Sequence, residues 1–107
     1  MSKVDLFIPT YNRPDFLKRL LTYYDYYKFK HRIIVADSSK DSNKKLNKKI
    51  VSQCKKLNIL YLDKFSPSQV SHQKFGEMVK FGKAKYSVFC ADDDFLIPGG
   101  IDDAVDF

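Results

Sequence analysis

The sequence predicts an α/β fold of three layers, in which helices cover both faces of a mostly parallel sheet. Four short apolar segments recur along the 107 residues, and segments with apolar residues at helical spacing separate them. Strands that are apolar throughout, rather than alternating with polar residues, are typical of parallel sheets buried on both faces. We expect four strands in the order 3-2-1-4, joined by right-handed crossovers.

The first half of the chain predicts two strands and one helix. Val4–Ile8 is a mostly apolar segment that predicts strand one, closed by Pro9. Pro14 suits the first turn of a helix, where its missing N–H is not needed, and apolar residues then recur at helical spacing as far as Tyr24. Arg32–Ala36 is rich in β-branched residues and predicts strand two, which Asp37 follows.

The second half continues the alternation. Four apolar residues predict the buried stripe of a lysine-rich helix: Leu46, Ile50, Cys54 and Leu57. Asn58–Leu62 predicts strand three. Ser66–Gln69 has the form of a capping box, so a third helix should begin there and end at Gly82. Tyr86–Ala91 predicts strand four, and a further helix should begin at Ile101.

Charge is distributed unevenly. The formal net charge is +6, and residues 40–56 alone hold seven lysines and one aspartate, whereas residues 92–107 hold six aspartates and no basic residue. This polarised pattern argues against specific nucleic-acid binding, and it suits peripheral contact with acidic lipid headgroups. No apolar segment approaches the roughly 20 residues of a membrane span. The two cysteines fit free thiols, so we expect a cytoplasmic protein, at the inner face of the membrane if it makes that contact.

Polar residues follow three of the predicted strands. Thr10–Arg13 follows strand one, Asp37–Ser39 follows strand two, and Asp92–Asp94 follows strand four. Ligands of parallel α/β sheets bind outside the carboxyl ends of the strands, so these clusters predict a binding site. Tyr11 offers a face on which a base can stack, and Arg13 and Lys74 are candidate partners for phosphate.

The three aspartates indicate a cation site. Concentrated at the end of a buried strand, adjacent carboxylates need a counter-ion, and they favour hard ions such as Mg²⁺ or Mn²⁺ shared with phosphate oxygens. The turn between Thr10 and Pro14 contains no glycine, which disfavours a nicotinamide dehydrogenase and a P-loop NTPase. Asp5 lies too early in strand one for a phosphoryl-receiver domain.

Taken together, Ile8–Pro14, Val35–Ser39, Asp92–Asp94 and Pro98–Ile101 resemble the motifs of family 2 glycosyltransferases of the GT-A fold. The resemblance implies the Rossmann-like, nucleotide-binding half of such a domain over residues 1–107, within a longer protein. It also implies a metal-dependent, inverting transfer from a nucleotide sugar, most often UDP-linked, to a saccharide or lipid-linked acceptor.

The resemblance assigns roles residue by residue. Thr10 and Tyr11 match the turn that lines the base, and Asp37 matches the acid that hydrogen-bonds it. Asp92–Asp94 matches the DxD motif, so we expect the nucleotide at Asp92 and Asp93 and Mn²⁺ or Mg²⁺ at Asp94 with Asp92. The catalytic base of the family lies after this motif, so we expect it beyond Phe107.

Two other functions stay open on sequence grounds. A nucleotidyltransferase shares the sheet, the metal and the nucleotide, but it would carry a glycine-rich and basic turn after strand one. A non-catalytic module that binds a nucleotide or a cation is the alternative outside enzymes. If strand four is the last strand, its edge is open, and self-association through that edge is expected.

Overall fold

The computed structural model describes residues 3–67, 71–92 and 100–101, with the side chains of residues 71–73 left aside. Within these residues, four strands and three α-helices alternate along the chain in the order predicted from the sequence. The elements are β1 (Val4–Thr10), α1 (Pro14–Tyr26), β2 (Arg32–Asp37), α2 (Asp41–Gln53), β3 (Ile59–Leu62), α3 (Ser71–Met78), a 3₁₀ helix (Val79–Phe81) and β4 (Tyr86–Phe89).

The four described strands form one parallel sheet with the order β3-β2-β1-β4. The prediction of the fold class and of the strand order is therefore confirmed. All strands run in the same direction, so they begin at one edge, the amino edge, and end at the opposite edge, the carboxyl edge. Helices that return the chain between parallel strands end near the amino edge.

Two apolar layers enclose the sheet. On one face, Leu6, Ile8, Ile33 and Val35 pack in one buried cluster with the apolar side of α1. On the other face, a second buried cluster joins the alternate strand positions to the α3 side: Phe7, Ile34, Ala36, Leu62, Phe65 and Met78. Successive strand residues point to opposite faces, so both faces of β1 and β2 are buried.

Strand one is longer than expected. Pro9 does not close it, because the pairing of β1 with β2 continues through Pro9 with Ala36 and Thr10 with Asp37. The ladder on the other side of β1 reaches only Phe7, opposite Phe89. The strand therefore carries Thr10 to the carboxyl edge before the chain turns.

The apolar stripe predicted for α2 is only partly correct. Leu46 is 50% exposed, and the buried residue of this helix is its neighbour Asn47, with 0% exposure. Leu57 is buried but lies after the helix, which ends at Gln53. The sequence pattern was wrong here because Asn47 has a buried hydrogen-bond partner on β2, described below.

The remaining predicted boundaries can be compared with the structure at Gly82, Ser71 and Ile101. Gly82 ends the third helical segment as expected, after the 3₁₀ turn. The third helix begins at Ser71, and Ser68 and Gln69 of the predicted capping box lie outside the described residues. Gly100 and Ile101 are helical, and the rest of the predicted last helix also lies outside them. In the described part of the chain, no helix is long and apolar enough to cross a membrane.

Candidate nucleotide-binding site

A cavity of about 360 Å³ opens at the carboxyl edge of the sheet. The end of β1, segments that follow each of the four strands, and α3 contribute to its wall. Its lining combines two aromatic rings, two cations and one carboxylate with two hydroxyl groups and two prolines: Pro9, Thr10, Tyr11, Arg13, Ser38, Pro67, Lys74, Phe75 and Asp92. The structure thus brings together six of the residues singled out in the sequence: Thr10, Tyr11, Arg13, Ser38, Lys74 and Asp92.

The turn after β1 has a geometry that only few residue types adopt. Asn12 has a positive φ of 52°, which asparagine tolerates better than most residues. Its amide N donates to Ser39 Oγ at 2.7 Å, and its Oδ1 accepts from the amide N of Lys40 at 2.8 Å. The turns after β1 and β2 are therefore tied together, and Tyr11 and Arg13 are held on either side of Asn12.

Asp92 is the acidic residue of the cavity wall. Its carboxylate is buried, and Oδ2 accepts a hydrogen bond from Thr10 Oγ1 at 2.8 Å. Arg13 approaches Oδ1 with its guanidinium at 3.5 Å. These contacts join the end of β1 and the turn that follows it to the segment after β4.

Lys74 is the buried basic residue of the cavity wall. It is only 5% exposed, and its Nζ donates to Ser38 Oγ at 2.8 Å and to the carbonyl oxygen of Thr10 at 3.2 Å. Burial lowers the pKa of this ammonium group to about 8, although the carboxylates of Asp37 and Asp92 act in the opposite direction. A desolvated cation with neutral partners is well suited to attract an anionic ligand.

Asp37 lies beside the cavity but does not line it. Its carboxylate is fully buried and accepts three hydrogen bonds, from the amide N of Ser39 at 2.8 Å, from Asn47 Nδ2 at 2.9 Å and from Tyr61 OH at 2.6 Å. Burial, and then the hydrogen bond to Asp37, raise the pKa of Tyr61. The contact between Asp37 and a base, implied by the resemblance, stays a prediction.

The acidic motif is described only in part. Asp93 and Asp94 lie outside the described residues, so their assignment to the nucleotide and to the metal also stays a prediction. Within residues 3–67, 71–92 and 100–101, no three acidic, histidine or cysteine side chains form a group that could hold a metal ion. Asp92 supplies the one carboxylate of the motif whose surroundings are known, and an anionic oxygen donor fits a hard divalent ion.

Some residues of the site were not among those predicted from the sequence. Phe75 lines the cavity, while Asn47 and Tyr61 hold Asp37 from outside it. Phe75 is partly exposed and lines the cavity with its ring, which an aromatic residue inside a helical segment does not indicate by itself. A lysine inside a helical segment carries no local signal that separates a buried site residue from a solvated one.

No protein-family model and no curated protein matches this chain. Solved structures do match it. A mannosyltransferase from Pyrobaculum calidifontis, PcManGT, in complex with GDP-Man and Mn²⁺, is 16% identical with a TM-score of 0.77, over 96% of this chain and 31% of its own. S. aureus TarS (residues 1–349) is 20% identical with a TM-score of 0.75, over 98% of this chain and 32% of its own. The same TarS region in complex with UDP-GlcNAc has a TM-score of 0.74 at 20% identity, over 98% and 30%.

These likenesses confirm the fold predicted from the resemblance. The chain has the fold of part of a GT-A-like glycosyltransferase domain, and the match extends over nearly all of its length. The chain spans about a third of the length of these matched structures. At identities of 16% and 20%, this similarity establishes the fold of the chain and not its chemistry.

Proposed function

We propose that this chain is the donor-binding region of a metal-dependent, inverting glycosyltransferase of family 2, with a UDP-linked sugar as donor. The cavity at the carboxyl edge is the observation that carries the proposal. It has aromatic faces, cations and a carboxylate within about 360 Å³, at the edge where parallel α/β sheets bind ligands. The fold that it shares with structures holding GDP-Man and UDP-GlcNAc supports the same function.

Each part of a nucleoside diphosphate finds a chemical counterpart in the cavity wall. The exposed rings of Tyr11 and Phe75 offer faces for stacking of the base. Arg13 and Lys74 offer cationic donors to the diphosphate, and charge-assisted hydrogen bonds of this kind are the strong ones. The carboxylate of Asp92 in the cavity wall is a candidate acceptor for a ribose hydroxyl.

A divalent ion completes this proposal. Asp92, together with Asp94, would hold Mn²⁺ or Mg²⁺, and the carboxylate chemistry of Asp92 fits such a hard ion. When bound, the ion neutralises the charge that develops on the departing diphosphate. Arg13 lies against the same carboxylate and would add positive charge on that side of the diphosphate.

The reaction exchanges one bond for another at the anomeric carbon. The bond from this carbon to the diphosphate oxygen breaks, a bond to an acceptor hydroxyl oxygen forms, and the hydroxyl proton passes to a carboxylate base. We assign donor binding to this chain, which spans about a third of the matched structures. The base and the site for a saccharide or lipid-linked acceptor belong, in this proposal, to the remainder of such an enzyme.

Calorimetric titration with UDP tests the proposal. We expect UDP to bind in the presence of Mn²⁺ and to bind more weakly without it. Arg13→Gln should weaken binding about tenfold, since it removes a charge-assisted hydrogen bond. Arg19→Gln is the matched control, because both guanidinium groups lie over the ring of Phe16 but only Arg13 lines the cavity.

Other outcomes separate the alternatives. Absence of UDP binding, or equal weakening by Arg13→Gln and Arg19→Gln, would overturn the assignment of the cavity. Tighter binding of UTP than of UDP would favour a nucleotidyltransferase. Mn²⁺ binding that is the same with and without UDP would favour a simple cation-binding module. A preference for GDP would keep the donor-binding role and change the nucleotide.

A further inference from the structure

The amino edge of the sheet carries a concentration of positive charge that the donor cavity does not use. The chain enters β2, β3 and β4 through residues 26–31, 54–58 and 82–85, and parallel pairing places these three segments along one edge. The segments contain no acidic residue. They contain six exposed lysines: Lys28, Lys30, Lys55, Lys56, Lys83 and Lys85.

Contacts between the segments confirm that they lie side by side. The amide N of Ile33 donates to the carbonyl oxygen of Asn58 at 2.8 Å, which joins the entry to β2 to the entry to β3. The amide N atoms of Lys83 and Ala84 donate to Asp5 Oδ2 at 2.6 and 2.8 Å, which joins the entry to β4 to β1. Arg32 pairs with the other oxygen of Asp5, so the charge of this buried acid is compensated inside the fold and does not neutralise the lysines.

Exposed tyrosines accompany these lysines. Tyr26 is 77% exposed and Tyr27 is 56% exposed, although both belong to an aromatic cluster in which their ring centroids are 5.0 Å apart. Tyr86, the first residue of β4, is also exposed, and the ammonium group of Lys85 lies 5.4 Å from the centre of its ring. We call these three tyrosines and the six lysines the amino-edge patch.

The chemistry of the amino-edge patch favours a lipid surface over a nucleic acid. Its exposed cations are all lysines, which are strongly hydrated point charges without the planar fork with which arginine binds phosphate groups bidentately. Diffuse attraction by clustered lysines is how polybasic segments bind anionic membranes. Tyrosine adds an apolar ring with a polar tip, which suits the boundary between headgroups and water.

We propose that the amino-edge patch docks on the surface of an anionic lipid bilayer. The donor cavity lies at the opposite edge of the same parallel sheet, so it faces away from the bilayer and stays open to a soluble nucleotide. This docking is independent of the proposed function. A chain that binds vesicles but not UDP, or UDP but not vesicles, would overturn one proposal and leave the other in place.

Co-sedimentation with vesicles tests the docking. We expect the chain to bind vesicles that contain phosphatidylglycerol and not vesicles of phosphatidylcholine alone, with binding that decreases as salt is raised. Lys55→Gln/Lys56→Gln and, separately, Lys83→Gln/Lys85→Gln should each weaken binding about tenfold or more. The matched control is Lys18→Gln/Lys40→Gln, which removes the same charge from exposed sites toward the carboxyl edge. Tyr26→Ser should lower the binding that remains at high salt.

Four results would overturn the proposal. They are absence of binding to the anionic vesicles, equal binding to both kinds of vesicle, equal weakening by the control pair, and tighter binding to a DNA duplex than to the anionic vesicles at the same salt concentration. Because all substituted lysines are exposed, circular dichroism should show an unchanged fold for every lysine variant. UDP titration of the two amino-edge variants should match the wild type.

Discussion

The two edges of the sheet each hold a buried charge, and the charges differ in what compensates them. At the amino edge, Asp5 accepts hydrogen bonds from Arg32 Nε and from two backbone amides. Burial alone would raise the pKa of Asp5, but these donors lower it below its usual value. At the carboxyl edge, Lys74 donates only to a hydroxyl and a carbonyl oxygen among the described residues, and its pKa falls to about 8.

The difference separates a charge that stabilises the fold from a charge that serves a ligand. A buried ion that the fold itself pairs with an opposite charge is compensated before any ligand arrives, and removing it leaves the partner charge unpaired. A buried ion with neutral partners has a desolvation cost that an incoming opposite charge can offset. Asp5 therefore belongs to the stability of the sheet, and Lys74 to the cavity.

The largest expected effect is that of Asp5→Ala on stability. The substitution leaves the Arg32 guanidinium, which also donates to the carbonyl oxygen of Phe81, without its buried carboxylate partner. We expect the free energy of unfolding to fall by about 3–5 kcal/mol, measured by urea denaturation. Asp63→Ala, at an exposed position after β3, is the control and should change it by less than about 0.5 kcal/mol. A small loss in Asp5→Ala would remove the contrast between the two edges.

The next effect concerns Lys74→Met. Removal of the ammonium group should weaken UDP binding about ten- to a hundredfold, because a hydrogen bond to a charged group is lost. The free energy of unfolding should stay the same or rise, since a desolvated charge is replaced by an apolar side chain of similar length. Lys80→Met, at an exposed position in the 3₁₀ helix, is the control for both measurements. Loss of stability without loss of UDP affinity would place Lys74 in the fold instead.

A third effect is the pH dependence of binding. The protonated form of Lys74 binds the anionic diphosphate better, so the bound nucleotide raises the pKa of this lysine above its free value of about 8. UDP affinity should be constant below that pH and should fall above it, by up to about tenfold per pH unit. Lys74→Arg should abolish the decrease, because arginine stays protonated. Titrations from about pH 7 to about pH 9 measure it, and a parallel decrease in both proteins would contradict the role of Lys74.

The fold was largely predictable because its signal is repeated along the chain. Each of the four strands is an apolar segment, and the helices between them show apolar residues at helical spacing. An error at one boundary therefore leaves the order of strands and helices intact. Pro9 illustrates such an error. It was expected to close β1, but the neighbouring strand supplies pairing as far as Thr10, and that pairing is a tertiary effect invisible in the local sequence.

The site was predictable mainly at the carboxyl ends of the strands. Thr10 ends β1, Tyr11 and Arg13 follow it, and Asp92 follows β4, so the parallel sheet brings them to one cavity. Lys74 comes from α3, and the helical spacing around this candidate phosphate partner does not indicate its burial. Asn47 replaces the apolar neighbour Leu46 in the interior because it donates to Asp37, a requirement that is set by β2 and not by its own helix.

The smallest expected effect is that of Tyr61→Phe, and it sharpens the comparison at Asp37. The fully buried carboxylate of Asp37 holds the turn through the amide N of Ser39, while Asn47 and Tyr61 donate to its other oxygen. If Asp37 positions this turn and does not contact the base, loss of the Tyr61 hydroxyl loosens the turn and weakens UDP and CDP binding alike, by about threefold to tenfold. If Asp37 contacts uracil, as the resemblance implies, the substitution frees a lone pair for the imide N–H and the preference for UDP over CDP grows.

We expect the first result, because three donors already occupy the carboxylate of Asp37 and this side chain does not line the cavity. Val51→Ala, at a half-buried position on α2 away from Asp37, controls for a general loss of packing. Parallel titrations of UDP and CDP give the ratio, and a changed ratio in Tyr61→Phe alone would establish the base contact.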